Sequence, residues 1–244
     1  VCDTPLAYLF RRRSFADFLL LEDGYRQALL TATFRRRDWW WDESPDFPGK
    51  PPRKPLSLRK LRAWRNTVRT AAHEAGHAVI AHTIGLKTDR VTIYLSSHER
   101  DRHPGCAGLC YYDYRSRPAL SVEEDLLCSL GGYAAERVLM GRPSLALEFP
   151  GSWSVMRDAV AYTDWEACQR AWKKGGGKGC CQEATLRLRR QAYETLAAEP
   201  NRSALELVTC ALLHTLTFGG KDLDRCIRMA KHLAAAKAAV DAAA

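Results

Sequence analysis

Two histidines enclose a glutamate in the run His73-Glu74-Ala75-Gly76-His77. On a helix, residues four apart share a face, so both imidazoles can turn a ring nitrogen towards one metal ion. Glu74 then projects beside that ion, where its carboxylate can take a proton from a water whose pKa zinc has lowered towards ~7. The chemistry expected of this set is zinc-assisted hydrolysis, with His73 and His77 as metal ligands and Glu74 as general base. The competing reading is two histidines on a helix with no metal. Ala71, Ala72, Ala75, Ala78 and Val79 favour the first, because they make the helix small and apolar around the histidines, as a buried site helix would be. Gly76 costs about 1 kcal/mol against alanine in mid-helix, which a close-packed neighbour would explain.

The elements that must position these residues follow from pattern and punctuation. A long helical pattern runs from Ser57 to about Thr83, and Gly85 is placed as the residue that ends it. Arg90–Leu95 alternates and is β-branched, as a strand does, and Ala107–Tyr112 can be its neighbour. Ser121 with Glu124 forms a capping box that opens a helix through Leu139, closed by Gly141. Further helices are expected over 153–173, 182–198, 202–218 and 222–240, with a glycine-rich loop at 173–179. The fold class expected is mainly α with a small β-sheet. Before this core, Ser14–Phe34 reads as an amphipathic helix, and Asp38–Pro55 as a connector bearing Trp39-Trp40-Trp41 and five prolines. The expected organisation is therefore an amino-terminal arm at 1–56, a catalytic-type domain at 57–233 and an alanine-rich tail at 234–244.

The run Ala72-His73-Glu74-Ala75-Gly76-His77-Ala78-Val79 resembles the zinc-peptidase domain of the FtsH-type ATP-dependent proteases. Later stretches agree in order: Arg90-Val91-Thr92-Ile93, Ala107-Gly108-Leu109, Gly131-Gly132-Tyr133-Ala134-Ala135-Glu136, and Ala211-Leu212-Leu213 followed by Thr217, Gly220 and Leu223. The similarity covers roughly residues 65–230 and implies a mostly helical metallopeptidase domain with a small sheet. A Gly-x4-Gly-Lys-Ser/Thr phosphate loop does not occur in the 244 residues, so the implied activity is ATP-independent.

The resemblance also implies a third zinc ligand, an aspartate at the start of a later helix in a Ser-Asn-Asp-Leu-x-x-Ala context. Matching Met156 and Ala159 to that pattern puts Val155 at the ligand position, and valine cannot bind zinc. Asp158, nearly one turn further on, is the carboxylate expected to complete the site, with Asp164 as a substitute and His98 and His103 as further candidates. Asp158 reads equally well as a first-turn carboxylate favoured by the helix dipole. Val155 thus favours a rival from another class, a peptidase-like scaffold subunit with little turnover, whereas the intact Glu74 favours the enzyme.

Charge and cysteine usage bound the partners. Of the net charge of +9, residues 57–69 hold five basic residues and no acidic one. Arg62, Arg65 and Arg69 share a helix face, a ridge suited to an acidic partner in a larger complex or to an anionic membrane surface, with a protein or peptide as substrate. A nucleic-acid role is disfavoured because residues 1–69 carry no recognised binding module. The nine cysteines lack paired zinc-ribbon spacing, and the reading is a reducing intracellular compartment. The stretch from Val1 contains no signal peptide or membrane span, and a membrane anchor further upstream stays open.

Overall fold

The computed structural model describes residues 58–93, 101–102, 107–140, 162–177 and 181–243. The expected amino-terminal arm, with its tryptophans, lies outside the described residues. Helix α1 spans Leu58–Thr83 and ends as expected. Gly85 adopts φ +76°, its N–H donates to the His82 carbonyl, and the Leu86 N–H donates to the Ala81 carbonyl. This pair of bonds is a Schellman closure, and its left-handed φ would strain a residue with a Cβ.

The chain then enters a three-stranded antiparallel sheet in the order β2-β1-β3, with β1 at Lys87–Thr92, β2 at Leu109–Asp113 and β3 at Thr217–Gly219. Strand β1 begins three residues earlier than its apolar part suggests. Lys87 and Thr88 do not look like a strand in sequence, yet they pair with Asp113 and Tyr112 of β2, and Asp89 is the extra residue of a bulge before Arg90. Strand β3 takes over where a helix through residue 218 was expected. Helix α5 (Asn201–Thr215) stops because Leu216 turns to φ +64°. The Leu216 carbonyl then accepts from the Ile93 N–H and the Thr92 hydroxyl, which carries Thr217 and Phe218 into register with β1.

Helix α2 (Val122–Met140) opens with the expected capping box. The Ser121 N–H donates to Glu124 Oε2, and the Glu124 N–H donates to Ser121 Oγ. The remaining helices are α3 (Tyr162–Lys174), α4 (Cys181–Ala197) and α6 (Gly220–Ala243). Helix α6 runs on through the alanine-rich stretch, where most described side chains are exposed, so residue 233 marks no break in the backbone. Among the described residues, no helix is long and apolar enough to cross a membrane.

The core lies where α1 is sandwiched by α2 and α5. Ala71, Ala72, Ala75, Ala78 and Val79 are fully buried, together with Leu126, Leu130, Leu205 and Leu212. The close neighbour that Gly76 called for is Gly131 of α2. A Cβ on Gly76 would stand 2.3 Å from the Gly131 carbonyl oxygen and 2.4 Å from the Ala135 Cβ. The two helices cross backbone to backbone, and this crossing brings α2 over the histidines.

Candidate metal centre

Helix α1 presents His73 and His77 on one face, their ring centroids 4.7 Å apart and nearly perpendicular. Helix α2 fixes both rings from behind. His77 Nδ1 lies 2.7 Å from the Cys128 carbonyl oxygen, and His73 Nδ1 lies 2.8 Å from Glu136 Oε1. Carbonyl and carboxylate oxygens only accept, so each Nδ1 carries the hydrogen and, in a neutral ring, each Nε2 keeps its lone pair. Gly132 makes room for this arrangement, since a Cβ there would lie about 2.5 Å from the His73 ring.

The carboxylate that meets both rings is Asp164, in the first turn of α3. Its Oδ2 stands 2.9 Å from His73 Nε2 and 3.6 Å from His77 Nε2. This oxygen is buried, yet none of its neighbours makes a well-aligned hydrogen bond to it. Three ligand atoms within 4.8 Å of one another therefore converge on one point. Zinc bonds of about 2.0–2.1 Å arranged tetrahedrally would set ligand atoms about 3.3 Å apart. The two Asp164 separations fall on either side of that value, all three ligand atoms lie within 4.8 Å of one another, and the donors are of the kind a metal ion takes.

Charge tells the same story for the metal-free chain. Burial works against a charged His73 and is the largest single influence, but Asp164 and Glu136 together outweigh it and hold its pKa well above the ordinary imidazole value. His77 is raised too, with burial opposing and Asp164 prevailing. Burial alone would raise Asp164, yet His77 and His73 overcome it and pull its carboxyl below the usual range. The raised imidazoles and the depressed carboxyl each favour the charged form beside the other.

Glu74 is buried beside the histidines, and burial raises its pKa against the opposing pull of His73 and His77. Its side chain packs on Gly108, just before β2, where an added Cβ would meet Glu74 Cγ at 2.6 Å. The site thus joins α1, α2, α3 and the start of β2.

Of the candidate ligands, the structure brings together His73, His77 and Asp164. Asp158, the carboxylate expected to complete the site, lies outside the described residues, as do Val155, His98 and His103; Asp164, ranked behind Asp158, supplies the observed carboxylate. Glu136 was visible only as the last residue of the Gly-Gly-Tyr-Ala-Ala-Glu run, without a role. Of the basic ridge, Arg69 is tied to Glu136 through its Nε and stays half exposed, so it also supports the carboxylate that meets His73. The side chains of Arg62 and Arg65 lie outside the described residues. Strand β1 is flanked by β2 and β3. Compared with known proteins, the chain matches no family model and no curated sequence.

Proposed function

We propose that the chain is a zinc-dependent, ATP-independent peptidase, a reading carried by the convergence of His73 Nε2, His77 Nε2 and Asp164 Oδ2 beside Glu74. A zinc ion held by these three residues would supply Lewis acidity, lowering the pKa of a bound water towards ~7 and polarising a peptide carbonyl. The protein's own part falls to Glu74. Its carboxylate accepts a proton from the attacking water and passes it to the amine nitrogen as the C–N bond breaks. Burial that raises the Glu74 pKa suits a group that must both take and return a proton near neutrality. Two histidines and one carboxylate also suit Fe(II). The base at Glu74, next to His73 on the same helix, is what favours hydrolysis.

The substrate on this reading is an extended peptide that adds to the outer edge of β2, the terminal strand of the sheet among the described residues. Gly108 lies at the near end of that edge and touches Glu74, which brings a scissile carbonyl towards the metal ligands. An uncleaved peptide analogue should slow amide exchange over Leu109–Asp113, and unchanged exchange there would put the substrate elsewhere. The scaffold reading drew its support from Val155, and a carboxylate at Asp164 supports the enzyme instead. Glu74→Gln tests the choice: it should keep metal and fold while abolishing cleavage of an unfolded protein. Equal cleavage by the variant would rule out Glu74 as the base, and a wild-type chain that loads metal but cleaves nothing in a broad peptide library would favour the scaffold.

A further inference from the structure

Helices α2 and α4 carry complementary pairs four residues apart, Tyr133 and Arg137 on α2 and Arg189 and Tyr193 on α4. The Arg189 guanidinium lies over the Tyr133 ring, 5.1 Å from its centroid, and the Arg137 guanidinium lies 4.9 Å from the centroid of Tyr193. Arg189 is only 1% exposed. Its Nε and both terminal nitrogens have no hydrogen-bond partner, and Arg137 Nη1 and the Tyr133 hydroxyl are likewise buried and unpartnered among the described residues. No carboxylate of the described residues offsets Arg189, whose charged neighbour is the second arginine.

Two guanidinium groups at one helix interface repel. Aromatic faces offset only part of a buried guanidinium charge. Water could satisfy the donors, but it would leave both charges uncompensated. We propose that this interface binds a small, doubly charged tetrahedral oxyanion of the phosphate or sulfate class, held between Arg189 and Arg137 with the Tyr133 hydroxyl as a further donor. The charge of minus two matches the two arginines, and the planar guanidinium fork matches tetrahedral oxyanion edges. The burial of Arg189 favours a free ion over a phosphate borne on a protein or lipid. The site stands apart from the metal chemistry, since it uses neither His73, His77, Asp164 nor Glu74.

The test is thermal unfolding of the full, metal-loaded chain in millimolar sodium phosphate, sodium sulfate or sodium acetate, each against sodium chloride at matched ionic strength. A saturable rise in Tm is expected with phosphate and sulfate but not with acetate, and the larger of the two responses identifies the resident ion. Arg137→Gln and Tyr133→Phe, which keeps the ring but loses the donor, should each raise the half-saturating concentration about tenfold. Arg189→Met should abolish the response; if it does not fold, the other two variants carry the test. His73→Ala/His77→Ala should respond as wild type does. Equal Tm in phosphate, sulfate and chloride would overturn the proposal. So would a response unchanged in Arg137→Gln and Tyr133→Phe, or one lost in the double histidine variant, which would put the anion on the metal.

Discussion

His73 Nδ1 lies 2.8 Å from Glu136 Oε1, a contact that joins α1 to a carboxylate 63 residues further along the chain. The other oxygen of that carboxylate receives Arg69 Nε, so Glu136 is oriented from two sides. Such a carboxylate fixes the ring and raises its basicity as a metal ligand. Glu136→Gln should therefore weaken metal affinity about 10- to 100-fold while leaving the fold intact. Arg69 is half exposed, and Arg69→Ala should cost far less. Competition against a chromophoric chelator measures both. Unchanged affinity in Glu136→Gln would show that the contact does not tune the site.

The crossing of α1 and α2 sets the distance between the histidines and their supports. Alanine at Gly76 would gain about 1 kcal/mol in helix propensity. Its Cβ would also stand 2.3 Å from the Gly131 carbonyl oxygen, so both backbones must move apart. Overpacking of this kind costs about 1–3 kcal/mol, and a contact this short belongs at the upper end. Gly76→Ala should lower the urea midpoint and weaken metal binding together. A midpoint that rises, as propensity alone would give, would mean the crossing is loose.

The proton load of the metal-free site predicts a pH dependence. His73 and His77 have raised pKa values in the fold, so their stabilising contribution is complete below the ordinary 6.5 and is lost as pH rises through the raised values. Glu74, also raised, acts in the same sense, its contribution being complete below its ordinary 4.5. Asp164 is depressed, so its contribution is present above its ordinary 3.8 and is lost only as pH falls through the lower folded value. Between pH ~6 and ~8 the metal-free chain should therefore lose stability. Metal displaces protons from its ligands, so the loaded chain should not show that loss. Urea midpoints at the two pH values, with and without metal, check both statements. A metal-free midpoint that rises with pH would contradict the protonated site.

Local signals in the sequence reached as far as one helix and its ends. The i, i+4 histidines, the Ser121–Glu124 capping box and Gly85 each act within a few residues, and each stands in the structure where its spacing puts it. Asp164 was harder, because its role depends on how α3, packed on α2, carries this carboxylate to His73 some ninety residues away in sequence, and no local rule sets that register. Matching Met156 and Ala159 to the family pattern favoured Asp158 for this reason. Glu136 sat inside a quoted motif, but only the helix crossing at Gly76 and Gly131 shows that it faces His73. Strand β3 is three residues long and is made by the turn at Leu216, a tertiary effect without periodicity to announce it.

Metal content tests the central claim most directly. Purified wild type should carry about one zinc per chain, since the site has one set of three ligand atoms. His73→Ala/His77→Ala should carry none. Asp164→Ala should lose most of the metal under the same dialysis, whereas Asp158→Ala should keep it. Full metal in Asp164→Ala with loss in Asp158→Ala would contradict the assignment of the third ligand. Unchanged metal in the double histidine variant would contradict the site itself.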